Sequence, residues 1–127
     1  MSEQASGSFD VELTPDSPGD VVGRFSITKR FHGGLDASST GAMLSVHGEV
    51  KGSAGYVAME RVTGTLGDRS GSFALQHSGT MDRDRPALSV TIVPDSGTAD
   101  LAGISGDMSI DIADGRHAYV LRYSLPR

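Results

Sequence analysis

AGYVAMERVTGTLGDRSGSFALQHSGTM, residues 54–81, is the stretch that decides the fold class. Gly67-Asp68 at its centre is a two-residue hairpin signal, and apolar and polar residues alternate on both sides of it. A turn of that length pairs Leu66 with Arg69. The pairing then runs outward, setting Glu60 opposite Leu75 and Ala58 opposite His77. One face of the hairpin collects Tyr56, Ala58, Glu60, Val62, Phe73, Leu75, His77 and Gly79. The other carries Met59, Arg61, Thr63, Thr65, Ser70, Ser72, Gln76, Ser78 and Thr80. Because a strand alternates its side chains, the more apolar face must turn inward, and Glu60 and His77 go in with it.

The same cues extend outward from this hairpin. Period-two alternation punctuated by turn dipeptides predicts about eight strands, near Gly7–Thr14, Val22–His32, Leu35–Val46, Ala54–Leu66, Arg69–Met81, Ala87–Val93, Gly106–Ala113 and Arg116–Leu125. Gly33-Gly34 and Asp114-Gly115 are further two-residue turns, and longer loops are expected over Pro15–Asp20 and Asp95–Ser105. The last hairpin sets Ile112 opposite His117, Ile110 opposite Tyr119 and Met108 opposite Leu121, with Tyr123 on the same face. Leu88, Val90 and Ile92 form another apolar face. The second and third strands resist this sorting, since Lys29 shares a face with Phe25, Ile27 and Phe31. Sequential hairpins imply that neighbours in sequence pair in space, and closure removes exposed edges. The expected architecture is a single all-β domain over residues 1–127, a small closed antiparallel barrel, with a Greek-key sandwich as the alternative. Residues 1–6 are expected to form a flexible tail.

Composition narrows the function classes. Cysteine is absent, which removes disulfides, thiol catalysis and Cys-ligated zinc. A net charge of −5 with scattered arginines argues against a nucleic-acid surface, because phosphate binding needs a clustered positive field. No apolar run is long enough for a membrane span. Residues 1–7 are small and polar, unlike a secretory signal, so the expected address is cytoplasmic. Asparagine is missing and lysine occurs only at 29 and 51, a composition associated with GC-rich bacterial genomes. No nucleophile-elbow serine, phosphate loop or dinucleotide fingerprint is present. Asp82, Arg83, Asp84 and Arg85 suggest a solvated loop.

Glu60 and His77 are the candidate catalytic residues. On adjacent strands they are diagonal neighbours, close enough for direct or water-mediated contact. Burial raises a carboxyl pKa and a nearby imidazolium lowers it, so such a pair could move a proton on and off a bound molecule. The competing explanation is a structural ion pair. Tyr56, Phe73, Leu75, Tyr119, Leu121 and Tyr123 are expected to line a substrate cavity, although an inward tyrosine is more often simply core. His32, His47 and His117 are expected in turns or at the rim. The histidines lack the spacing that would join two imidazoles on one metal, so neither metal nor cofactor is expected.

Lys51–Leu66, Arg69–Met81, Phe31-His32-Gly33 and Val93–Thr98 together resemble one bacterial family, domain of unknown function 3224. The resemblance runs from Gly7 to about Tyr123. It implies a barrel like that of allene oxide cyclase, which often forms homo-oligomers. It also implies a lumen of the kind in which cofactor-free cyclases fold an apolar substrate, with Glu60 as the inward carboxylate. The function expected is a cofactor-independent lyase, isomerase or cyclase for a small apolar molecule, with acid/base chemistry by Glu60 and His77. A non-catalytic carrier or sensor of a lipophilic molecule is the alternative, and a dry barrel serving only in assembly is a third.

Overall fold

The computed structural model describes residues 3–16 and 21–126. Eight strands follow one another: β1 (Glu3–Pro15), β2 (Gly23–Gly33), β3 (Leu35–His47), β4 (Ala54–Leu66), β5 (Arg69–Asp82), β6 (Arg85–Ile92), β7 (Ser105–Ala113) and β8 (Arg116–Ser124). Each pairs antiparallel with the next and β8 returns to β1, closing the barrel. The only helical element among the described residues is a 3-10 turn, Ala99–Leu101, so no helix is long and apolar enough to cross a membrane.

The registers expected for β4–β5 and β7–β8 are the observed ones: Leu66 pairs with Arg69, Glu60 with Leu75, Ala58 with His77, and Ile112 with His117. Two expectations need correction. Residues 3–6 are not a tail; Glu3 pairs with Tyr123 and Ser6 with Val120, which completes the ring of strands. Residues 1–2 and 17–20, the latter part of the loop expected over Pro15–Asp20, lie outside the described residues. The β2–β3 turn is also not a two-residue loop, because Phe31 pairs with Ala37 and Lys29 with Ser39. A two-residue turn would have set Lys29 opposite Ser38 and turned Asp36, Ser38 and Thr40 inward. The one-residue difference flips β3, so that Leu35, Ala37 and Ser39 are the buried set.

Asp82–Arg85 is a hairpin turn and not merely a solvated loop. Arg83 and Asp84 both adopt positive φ, 51° and 71°, and Asp82 pairs with Arg85, the geometry of a type I′ connection.

The two ends of the barrel differ. At one end Phe31, Leu35, Phe73, Leu75, Tyr119 and Leu121 are fully buried and fill the lumen. The β6–β7 connection folds over that end, inserting Leu101 and Ile104. Its polar side chains also satisfy the start of β5, which β6 is too short to cover. Ser72 N donates to Thr98 Oγ1 at 3.1 Å and Ala74 N donates to Ser96 Oγ at 3.0 Å. At the other end the walls stay open. Along the β6–β7 seam only Thr91 and Asp107 pair, so the inward-phase Leu88 and Ile112 remain exposed there.

Candidate functional site

The buried polar and charged side chains among the described residues are Lys29, Ser39, Glu60 and His77. They lie on four successive strands, β2 to β5, and all belong to the inward phase. Lys29 Nζ is 2.9 Å from Glu60 Oε2, and His77 Nε2 is 3.2 Å from the same oxygen. Lys29 and Glu60 are two strands apart, roughly 10 Å at the backbone. Their long side chains meet across β3 because the inward residues of β3 at that level are Ser39 and Gly41, both small.

This cluster sits at the floor of a cavity of about 330 Å³ that opens at the unplugged end. Lys29 and His77 line it, together with Tyr56 and His117; the remaining wall is mainly apolar, including Phe9, Ile27, Met43 and Ile110. Glu60 is behind this lining, with its side chain at 0% exposure, and reaches the cavity only through its two partners. Phe9 shapes the wall around Lys29: its ring centroid lies 4.8 Å from Nζ and 5.1 Å from the His117 ring. The Phe31 ring, 5.8 Å from Nζ, closes in from below. Both distances are short enough for the ring faces to favour the ammonium charge.

The expected site residues therefore separate into two groups. Glu60 and His77 are brought together as expected, and Tyr56 lines the cavity. Phe73, Leu75, Tyr119, Leu121 and Tyr123 do not line it; they are inward but lie at the plugged end. Tyr119 is committed to the backbone there. Its hydroxyl accepts from Leu35 N at 2.9 Å and donates toward His32 O at 2.8 Å, pinning the β2–β3 turn. Burial pushes the Tyr119 hydroxyl pKa up, with Asp36 adding to the rise and the Leu35 backbone opposing it. His32 is exposed, 3.1 Å from Asp10, whereas His117 reaches the cavity at its mouth.

The missed residue is Lys29. Its signal was present in the sequence as the charged residue on the otherwise apolar face of β2, but its partner could not be found without the β2–β3 register.

A family model for a protein of unknown function, DUF3224, matches residues 5–123. The chain belongs to the DUF3224 family. It is also similar to the crystal structure of a DUF3224-family protein of unknown function from Shewanella oneidensis MR-1. That likeness has 41% identity and a TM-score of 0.94, over 100% of this chain and 99% of the other. No curated protein matches the chain. The family phrases of the sequence now have physical roles. Val93–Thr98 is the strap that satisfies β5 at the plugged end, and Arg69–Met81 delivers His77 to the floor of the cavity.

The electrostatics of this DUF3224 cluster follow from its geometry. Burial is the largest influence on Glu60 and pushes its carboxyl up. The His77 contact and the Lys29 charge together outweigh it, and the net pKa lies below the ordinary 4.5. Both partners converge on Oε2, and Oε1 has no hydrogen-bond partner among the described residues. Neither contact to Oε2 has the alignment of a full hydrogen bond.

A folded pKa below the unfolded one means the carboxylate contributes stability that is fully present above about pH 4.5 and is lost as pH falls through the folded value. The urea midpoint is expected to fall below pH 4.5 in the wild type. That acid-side fall should be smaller in Glu60→Gln, and an equally steep fall in the variant would assign it to other carboxylates.

Proposed function

We propose that the lumen binds a small, largely apolar molecule and holds its one polar group against the Lys29–Glu60–His77 cluster. The observation that carries this reading is the meeting of an apolar cavity with a buried charged cluster at its floor. A cavity of about 330 Å³ is within the range of small-molecule sites, where apolar walls supply affinity and a few polar groups fix orientation. A buried ion pair is weak evidence of a stabilising role, since its desolvation offsets most of its attraction. Its position beneath the cavity favours a role in binding.

Titration calorimetry with cinnamyl alcohol and 2-naphthol tests this. Both are expected to bind the wild type, and Ala58→Phe, which fills the lumen, is expected to abolish the heat. A flat wild-type titration with both, or binding unchanged in Ala58→Phe, counts against the lumen.

A cofactor-independent isomerase, lyase or cyclase is the second reading, favoured by the placement of His77 on the cavity wall and against Glu60. A carboxyl held below its ordinary pKa is a weak base. His77, which faces the cavity, is placed to carry the proton, with Glu60 orienting it. The allene oxide cyclase-like barrel that the sequence resemblance implies supports this by analogy of fold alone. Homo-oligomer formation is a further part of the proposal. It is supported by Leu44, Val57 and Met59, exposed on the outer face of β3 and β4, where Leu44 and Val57 are cross-strand partners.

A further inference from the structure

We propose that the molecule held in the lumen is a small apolar aldehyde or ketone, and that Lys29 captures its carbonyl carbon as an iminium. This rests on the lumen-binding reading above and names the ligand class of the same site.

Charge balance comes first. The floor of the cavity pairs one ammonium with one carboxylate, Lys29 with Glu60 at 2.9 Å. A ligand bearing a full charge would add a charge that this pair does not compensate in an apolar cavity, which disfavours its entry. A neutral polar group adds none. The donor inventory comes second. An ammonium has three N–H donors, and Lys29 Nζ has one polar partner among the described residues. Donors therefore remain for an acceptor, and a carbonyl oxygen is a neutral acceptor that carries no donor of its own. The lining adds Tyr56 and His117 as further polar side chains facing the cavity.

Covalent capture follows from what surrounds Nζ. An iminium keeps the positive charge of the ammonium, so the attraction to Glu60 and to the faces of Phe9 and Phe31 persists through the reaction. The ammonium first yields a proton to His77 by way of Glu60 Oε2, which both nitrogens approach. The freed amine electron pair forms the C–N bond while the carbonyl π pair moves to oxygen, and one proton passes from that nitrogen to the oxygen to give the neutral carbinolamine. The proton held on His77 then assists loss of the hydroxyl as water. The nitrogen lone pair becomes the second C–N bond. In sum, an ammonium and a carbonyl give an iminium and water, with charge conserved and no oxidant or reductant. The apolar wall excludes competing water and holds the carbonyl near Nζ, which is where intramolecular reactions gain most.

The chain supplies its own control. It has two lysines, and Lys51 is exposed in the β3–β4 connection. The wild-type protein is incubated with trans-cinnamaldehyde and sodium cyanoborohydride, and the reduced adduct is mapped by peptide mass spectrometry. Lys29 is expected to be labelled on the order of tenfold more than Lys51. A red-shifted near-ultraviolet band, bleached on reduction, should accompany it. In Lys29→Arg both the lumenal adduct and the band should vanish. Equal labelling of the two lysines, or preference for Lys51, overturns the proposal, with no dependence on how a variant folds. If cinnamyl alcohol still binds the wild type in that case, carbonyl capture fails and the lumen reading survives. If neither compound binds, both fail.

Discussion

Lys29→Met is expected to cost the fold about 3–5 kcal/mol, read as a lower urea midpoint at neutral pH, because it strands the buried Glu60 carboxylate without its cation. Glu60 has no route to solvent in place, with its side chain at 0% exposure. His77 remains as a contact at 3.2 Å, but it reaches the oxygen that Lys29 also served, and Oε1 has no partner among the described residues. The companion variant decides the cause. Lys29→Met with Glu60→Leu removes both charges and keeps apolar volume across β3, so most of the lost stability should return. The coupling between the two positions should then be several kcal/mol, far above the few tenths expected of independent sites. If the double variant is as unstable as Lys29→Met, Lys29 acts through its packing against Phe9 and Phe31 instead. The double variant should also lose trapping of cinnamaldehyde although its stability is restored, which separates the stabilising role of the lysine from its chemistry.

How much of this was legible in the sequence depends on where register information was local. The β4–β5 hairpin carries its register in a two-residue turn, and that turn alone brought Glu60 beside His77. The β7–β8 hairpin is the same case, with Asp114 and Gly115 both at positive φ. At the β2–β3 turn two adjacent glycines admit more than one geometry, and the choice inverts β3. Without that choice Lys29 has no partner, so the third member of the cluster could not be placed. The depth of each inward residue was hidden as well. Alternation tells in from out but not which end of the barrel is filled. Tyr119 and Tyr123 therefore looked equivalent to Tyr56, although only Tyr56 reaches the cavity. Depth is set by the β6–β7 connection, whose Leu101 and Ile104 plug one end, and an irregular loop offers no periodicity from which to infer that.

Gly41 had no assigned role in the sequence, and replacing it should be among the most damaging single-atom changes to the site. It lies inward on β3 opposite Glu60, beneath the span where Glu60 and Lys29 meet. A Cβ at position 41 would approach Glu60 Cα to 2.7 Å and Glu60 Cβ to 2.8 Å, and would press still harder on Met59 O. Those neighbours are backbone or the root of a side chain, so rotamer changes cannot relieve the overlap. Gly41→Ala should therefore cost about 1–3 kcal/mol or more by overpacking, and should push the Glu60 carboxylate away from Lys29. Gly55→Ala is the matched control on the neighbouring strand, where the added carbon meets only Gly79 O, at 3.9 Å. Its extra methyl should be neutral or slightly stabilising, because glycine in a strand loses more chain entropy on folding than alanine. Paired urea titrations at neutral pH provide the measurement. Equal midpoints for the two variants would mean that β3 can shift to admit a Cβ. The small residues of β3 would then not be what allows Lys29 and Glu60 to meet.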